Sequence, residues 1–288
     1  IYNLFQVLLN DGDEVIIPAP YWLSYPQMVR LAGGTPIFLN SSAEDGFKIN
    51  IQDLKSKISP KTKFIIINSP NNPTGRVMPK EELLKIAEVV RENKNINILS
   101  DEIYELILKK EFKHLSLASL ATDLKERIFI INGFAKGWAM TGWRVGYLVG
   151  QKDVIKASSA LQSQSTSNVC SFVQRGALEA LKVNREFFLE INSHYDLRRE
   201  VLYKGLKNIE GLFIYPPNGA FYAFPRLPNN SMTSVEFCKR ILNDYGLVVV
   251  PGKPFGDDQC IRISCASSKE KILDGLSRLE KGILNYYF

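Results

Sequence analysis

Histidine and cysteine are scarce in this chain. There are two histidines, His114 and His194, and four cysteines, Cys170, Cys238, Cys260 and Cys265. No two cysteines stand at C-x-x-C spacing, so a zinc site is not expected. The thiols are expected as reduced, small apolar side chains. Long hydrophobic runs are missing as well. None reaches the roughly 20 residues that span a bilayer, and the start carries no basic-then-apolar signal peptide. No membrane partner is expected, and the cytoplasm is the default compartment. The net charge of +6 is spread along the chain without a basic run, which gives no footing for nucleic acid. A mild positive excess suits small anions only weakly. No G-x-G-x-x-G follows an expected strand and no Walker pattern occurs, so the simplest nucleotide-binding readings are excluded. Internal repeats and low-complexity linkers are also absent.

What is present is a long, well-filled chain. With 288 residues, 45% of them hydrophobic, it can bury a large core, and two subdomains are expected. The first part alternates strand and helix. Strands are predicted at Glu14 to Ile17, Thr35 to Leu39, Phe64 to Asn68, Ile96 to Leu99 and Ile128 to Ile131. Helices are predicted at Tyr25 to Ala32, Asp53 to Ile58, Pro79 to Asn93, Asp153 to Leu161 and Phe172 to Leu181, with Gln162 to Asn168 as a polar loop. This pattern predicts an α/β fold, a mainly parallel sheet with helices on both faces. Arg185 to Ile209 reads as one long connecting helix. The rhythm then changes. Strands at Leu212 to Tyr215, Ala220 to Phe224, Leu247 to Val250 and Ile261 to Cys265 mix with helices at Ser234 to Tyr245 and at the end, a smaller α+β unit. The predicted division is 1–182 and 183–288.

Chemistry-bearing residues collect where strands end. Lys136 follows the apolar run Ile128 to Ile131, at the carboxyl edge where open α/β sheets hold ligands. Its neighbours Gly133, Ala135, Gly137 and Gly142 are small and would admit a bound group. A lysine in such surroundings is poorly solvated, which lowers its pKa and frees the amine. Arg144 offers a planar fork for phosphate or carboxylate. Asp101 and Asn72 fall on the same edge, and Tyr104 joins them if its segment turns helically. Trp22 leaves a strand where an aromatic can stack on a flat ligand. Arg262 lies inside an apolar strand, which is costly unless it meets an anion. Each has a plainer reading. Lys136 and Arg144 could be solvated cations, Asp101 a turn cap, Asn72 a surface turn, Trp22 a core side chain, and Arg262 half of a structural ion pair.

Taken in order, Trp22, Asn72-Pro73-Thr74-Gly75, Asp101-x-x-Tyr104, Lys136 with Arg144, and Arg262 carry more than any one alone. The set resembles the class I and II aminotransferases, fold type I of the pyridoxal-phosphate enzymes. It is most similar to the bacterial and plastid aspartate aminotransferase branch, whose members carry a similar Ala-Met-Thr-Gly-Trp-Arg tail after the lysine. The resemblance covers essentially the whole chain and implies a role for each residue. Lys136 would bond the cofactor aldehyde and, once released, move the substrate proton. Asp101 would pair with the pyridine nitrogen. Asn72 and Tyr104 would bond the ring hydroxylate, Trp22 would stack on the ring, and Arg144 would clamp the phosphate. Arg262 would grip the substrate α-carboxylate.

The resemblance further implies amino-acid and 2-oxo-acid substrates, aspartate or glutamate with 2-oxoglutarate or oxaloacetate and also prephenate, and a homodimer. One departure is Ala135, where many relatives have a serine that donates to the phosphate. Other chemistries stay open on the same scaffold. These are a carbon–sulfur β-lyase, an aromatic or branched-chain aminotransferase, and a non-catalytic effector-sensing domain. The chain starts Ile1-Tyr2-Asn3, without Met or a helix cap. Family members carry on the order of a hundred residues before this point. A missing N-terminal piece is therefore expected, and with it weak cofactor binding by a chain that truly began here.

Overall fold

The computed structural model describes residues 1–228 and 232–288. The first half builds one six-stranded sheet. Its elements are α1 (Tyr2–Leu8), β1 (Glu14–Pro18), α2 (Ser24–Leu31), β2 (Thr35–Leu39), α3 (Ile51–Ser56), β3 (Thr62–Asn68), α4 (Lys80–Glu92), β4 (Asn97–Asp101), α5 (Leu117–Leu120), β5 (Ile128–Gly133) and β6 (Gly146–Val149). The strand order is β2-β1-β3-β4-β5-β6. All neighbours run parallel except β5 and β6, which are antiparallel.

Strand alternation sorts the apolar side chains to two faces. Ile65 and Ile67 of β3 pack with Leu83, Ile86 and Val90 of α4. Phe64 and Ile66 point the other way, into a core with Leu4, Phe5 and Val29 of α1 and α2. Both faces are thus covered, as a parallel sheet requires. The long helix α4 has the predicted apolar face, with Leu83, Ile86, Ala87 and Val90 buried.

The second half contains α6 (Lys152–Ser165), α7 (Ser171–Ala180), α8 (Arg185–Asn208), β7 (Tyr222–Ala223), α9 (Ser234–Tyr245), β8 (Val250–Pro251), β9 (Ile261–Ser264) and α10 (Lys269–Tyr287). The three strands form a separate sheet in the order β7-β9-β8. Leu202 and Leu206 of α8, Phe237 and Ile241 of α9 and Leu276, Leu279 and Ile283 of α10 share its core. Local signals fix the helix ends. Asn184 and Thr233 cap α8 and α9 by accepting from backbone N–H groups, and Gly246 ends α9 in the left-handed region.

Several expectations change. Leu212 to Tyr215 is no strand; Phe213 makes a single bridge to Arg226. The other strands of the small sheet are shorter than predicted. The polar stretch from Gln162 is not all loop, since α6 runs on to Ser165. Strand β6 went unpredicted, as did α5. All four cysteines are free, but Cys170 is exposed rather than packed.

The two halves meet at a turn. The N–H groups of Asn218 and Gly219 both donate to the Gly75 carbonyl at 2.8 Å. Gly75 has φ +69°, and a Cβ there would lie 2.6 Å from Pro217 Cβ and 2.7 Å from the Tyr222 carbonyl oxygen. Only glycine satisfies both the backbone and the space.

Candidate active site

Four loops leave the carboxyl edge of neighbouring strands β1, β3, β4 and β5. They bring Trp22, Asn72, Asp101 with Tyr104, and Lys136 to one place. Arg144 comes from the turn after Lys136, and Arg262 from β9 of the second sheet. All seven predicted side chains line a single cavity of about 370 Å³.

Asp101 ends β4 and is 5% exposed. The Tyr25 hydroxyl donates to its Oδ2 at 2.6 Å, and the Ile103 N–H donates to Oδ1 at 3.2 Å. Burial pushes its carboxyl above the usual range, while those two hydrogen bonds pull it back. Asn68 holds the neighbouring turn. Its Nδ2 donates to the Asp101 carbonyl at 3.0 Å, and its Oδ1 accepts from the Asn72 N–H at 2.9 Å. Tyr104 is buried and stands beside Tyr222, hydroxyl to hydroxyl at 3.2 Å. Burial, first, and Tyr222, second, raise its pKa, so the phenol stays protonated. Its segment is a pair of turns and not a helix: Glu105 N–H bonds Glu102 C=O, and Ile107 N–H bonds Tyr104 C=O.

Lys136 is half-buried. Its Nζ sits 5.8 Å from the centre of the Tyr104 ring and 5.6 Å from that of Phe221. Burial lowers its pKa first, and the Arg262 and Arg144 cations add to that. Arg144 is exposed at the rim, at φ +55°, and its NH1 donates to the Thr141 carbonyl at 3.1 Å. Thr141 also lines the cavity, and its hydroxyl donates to the Ala135 carbonyl at 2.8 Å. Two of the glycines near Lys136 are required by close packing. A Cβ on Gly133 would meet Gly146 Cα at 2.7 Å, one on Gly137 would meet Leu106 Cδ1 at 2.7 Å, and Gly142 faces open space.

Among the described residues, Arg262 is held by aromatic rings and an amide and by no acid. Its guanidinium lies 4.5 Å from the Tyr222 ring centre and 4.8 Å from that of Phe255, and NH1 donates to Asn72 Oδ1 at 3.1 Å. Among the described residues, Lys136, Arg144 and Arg262 take part in no ion pair. Three cations therefore face one cavity with a single buried carboxylate at its floor. Such a site is built for an anionic ligand. Trp22 is half-buried at the cavity wall, edge-on to Tyr25 with ring centres 5.3 Å apart.

The family model for aminotransferase class I and II matches residues 1–279. The chain belongs to this family. A probable aspartate/prephenate aminotransferase of Rickettsia bellii is 44% identical over 98% of this chain and 73% of its own length. The Thermus thermophilus aspartate aminotransferase solved with maleate superimposes with a TM-score of 0.92 at 40% identity, covering 98% of this chain and 72% of that one. The Pyrococcus horikoshii aromatic aminotransferase does so with 0.94 at 37% identity, covering 99% and 76%.

In this aminotransferase, four contributors could not be read from the sequence. Tyr25 stands three residues after Trp22, a spacing that hints at a shared side. Asn68 sits four residues before Asn72. Tyr222 and Phe255 gave no signal, because their roles exist only in contact with Arg262 and Tyr104. Behind the site, Glu102 Oε2 lies 2.9 Å from His114 Nε2, and its Oε1 accepts from the hydroxyls of Ser100 and Ser116. Burial alone would raise Glu102, but His114 and the two serines hold it below its ordinary value.

Proposed function

We propose that this aminotransferase binds pyridoxal phosphate in the 370 Å³ cavity and moves an amino group between aspartate or glutamate and a 2-oxo acid, prephenate included. The observation that carries the reading is the convergence of Lys136, Asp101, Arg144 and Arg262 on one cavity. The donor set fits the cofactor: an acid for a ring nitrogen, an exposed arginine for a phosphate, and an amine for an aldehyde. When bound, the cofactor supplies an electron sink for the charge left at the substrate Cα.

The rest follows from this chain's own side chains. Asp101, fixed by Tyr25, holds a proton on the ring nitrogen. Tyr104 and the NH2 group of Asn72 donate toward the ring hydroxyl; the amide oxygen of Asn72 is already taken by Arg262. Trp22 closes one wall against water. Arg262 presents two N–H groups to the substrate α-carboxylate and so orients the Cα–H bond. Lys136, with its pKa lowered by burial, would serve as the base that takes the proton from the substrate Cα. The relatives named aspartate/prephenate aminotransferase and the dicarboxylate maleate in the Thermus enzyme support an acidic substrate. With this reading go a cytoplasmic location, a homodimer, and a large cofactor-binding unit at 1–182 with a smaller one at 183–288.

The test is a spectrum. Enzyme loaded with pyridoxal phosphate is mixed with aspartate or glutamate in single turnover, and the visible band is followed. No change with either amino acid defeats the substrate reading. Likeness to the Pyrococcus aromatic enzyme supports one alternative, an aromatic aminotransferase, which predicts a response to tyrosine or phenylalanine instead.

A further inference from the structure

Tyr222 stands where no motif points to it. It lies in β7, on the second sheet, and is 8% exposed. Three parts of the cavity touch it. Its hydroxyl is 3.2 Å from the Tyr104 hydroxyl, with the two rings edge to face at 82°. Its ring carries the Arg262 guanidinium at 4.5 Å. Its carbonyl oxygen closes over Gly75, in the turn that presents Asn72. Packing alone explains none of the first two contacts. A phenylalanine would fill the same space without the oxygen, and an aliphatic side chain would fill the core without a π face.

We propose that Tyr222 is a positioning residue for both halves of the site, through its hydroxyl for Tyr104 and through its ring for Arg262. A phenol that accepts a hydrogen bond donates a stronger one. The two hydroxyls share one hydrogen bond that either can donate; in the proposed arrangement Tyr222 donates, which leaves the Tyr104 O–H for the cavity and the cofactor's ring hydroxyl. The ring face offsets part of the charge of Arg262, which has no carboxylate partner among the described residues, and holds the fork flat for an incoming carboxylate. This rests on the proposed cofactor and substrate class. It adds that the small sheet sets the electronics of the cofactor as well as the grip on the substrate.

Two variants of the whole enzyme separate the roles. Tyr222→Phe keeps the ring and removes the hydroxyl. With pyridoxal phosphate bound, the pH midpoint of its visible band should rise by about half a unit, because the ring hydroxylate loses support. Maleate affinity should stay within about twofold, since the face under Arg262 remains. Tyr222→Leu removes both, and maleate binding should weaken by roughly fivefold to tenfold besides the shift in the band. An unmoved midpoint in Tyr222→Phe overturns the role of the hydroxyl. Unchanged maleate binding in Tyr222→Leu overturns the role of the ring. A wild-type enzyme with no visible band overturns the proposed cofactor, and this inference with it. The isosteric Phe variant also guards against a folding defect in the Leu variant.

Discussion

Arg262 offers the sharpest test of the site, because function and stability should part there. Its guanidinium is sandwiched between Tyr222 and Phe255 and bonded to Asn72, with no acid in reach among the described residues. A structural arginine would have an ion pair, and its loss would strand a buried acid. Here none is stranded. Arg262→Met keeps the contact with both rings through a thioether. It gives up two cation–π contacts of about 0.5–2 kcal/mol each and one hydrogen bond of about 1.5–3 kcal/mol. It recovers roughly a few kcal/mol of desolvation at most, since the side chain is only partly buried. The terms nearly cancel, so the urea-unfolding free energy should stay within about 1 kcal/mol of wild type. Binding should collapse. A carboxylate loses two charge-assisted hydrogen bonds, about 3–6 kcal/mol together, or roughly 10²- to 10⁴-fold in the Kd of maleate. Arg262→Lys keeps the charge without the fork and should lose only about 10- to 100-fold. Isothermal titration with maleate and urea titration supply both numbers. Arg262→Met should also raise the Lys136 pKa and leave less of its amine unprotonated. Removing the Arg262 cation moves its pKa back toward the ordinary lysine value, though burial, the larger cause, keeps it below. A Met variant that loses more than about 3 kcal/mol of stability, or that binds maleate like wild type, would refute the reasoning.

Other substitutions test the frame around the site. Arg76 and Glu82 form a buried ion pair just after the Asn72 turn, and Glu82 Oε1 also accepts from the Ile49 N–H at 3.0 Å. Glu82→Ala leaves a buried cation and an unpaired N–H, so urea unfolding should report a loss of about 3–5 kcal/mol; a loss under 1 kcal/mol would mean that water reaches Arg76. Asp101 sits above its ordinary pKa because it is buried. A raised acid binds its proton more tightly folded than unfolded, so the ionised form costs stability above the folded pKa and the cost fades as pH falls. Asp101→Asn should therefore melt at or above the wild-type temperature at neutral pH while losing turnover by several hundredfold. A lower melting point combined with retained turnover would contradict both halves of that statement. Glu102 has the opposite sign. Its lowered carboxyl adds stability above the unfolded value of 4.5, and this is lost as pH falls through the folded pKa. Glu102→Gln should be less stable than wild type at pH 7, with the gap closing on acidification; parallel curves from pH 7 to pH 3 would rule this out.

The fold was legible where burial was two-sided. Phe64 to Ile67 is an unbroken apolar, β-branched run, and it became the central strand β3. The turn residues after each strand then set the carboxyl edge. Strand β6 was not legible, because Gly146, Tyr147 and Val149 are exposed on the outer edge of the sheet and show no alternation. The small sheet was over-read for a different reason. Val250–Pro251 contains a proline that cannot donate to a ladder, and Pro216 and Pro217 follow directly on the expected strand at Leu212 to Tyr215. Polar residues misled in the other direction. Ser163 to Ser165 are exposed, which is compatible with the last turn of α6, and polarity alone did not distinguish loop from helix.

The site divided along the same physical line. Trp22, Asn72, Asp101 and Lys136 could be found because each follows a readable strand, and the strand end fixes where a side chain can go. Arg262 could be found because a cation among apolar neighbours demands an explanation. What supports these residues could not be found that way. Tyr25 matters only because Asp101, 76 residues away, accepts its hydrogen bond, and Tyr222 only because Tyr104 lies 118 residues before it. In sequence both are ordinary core aromatics with ordinary periodicity. The groups that do chemistry announce themselves by being out of place, whereas the groups that aim them look like packing until the chain is folded. Tyr25 and Tyr222 are accordingly where this site departs most from what its motifs say, one fixing the acid under the cavity and the other the cation above it.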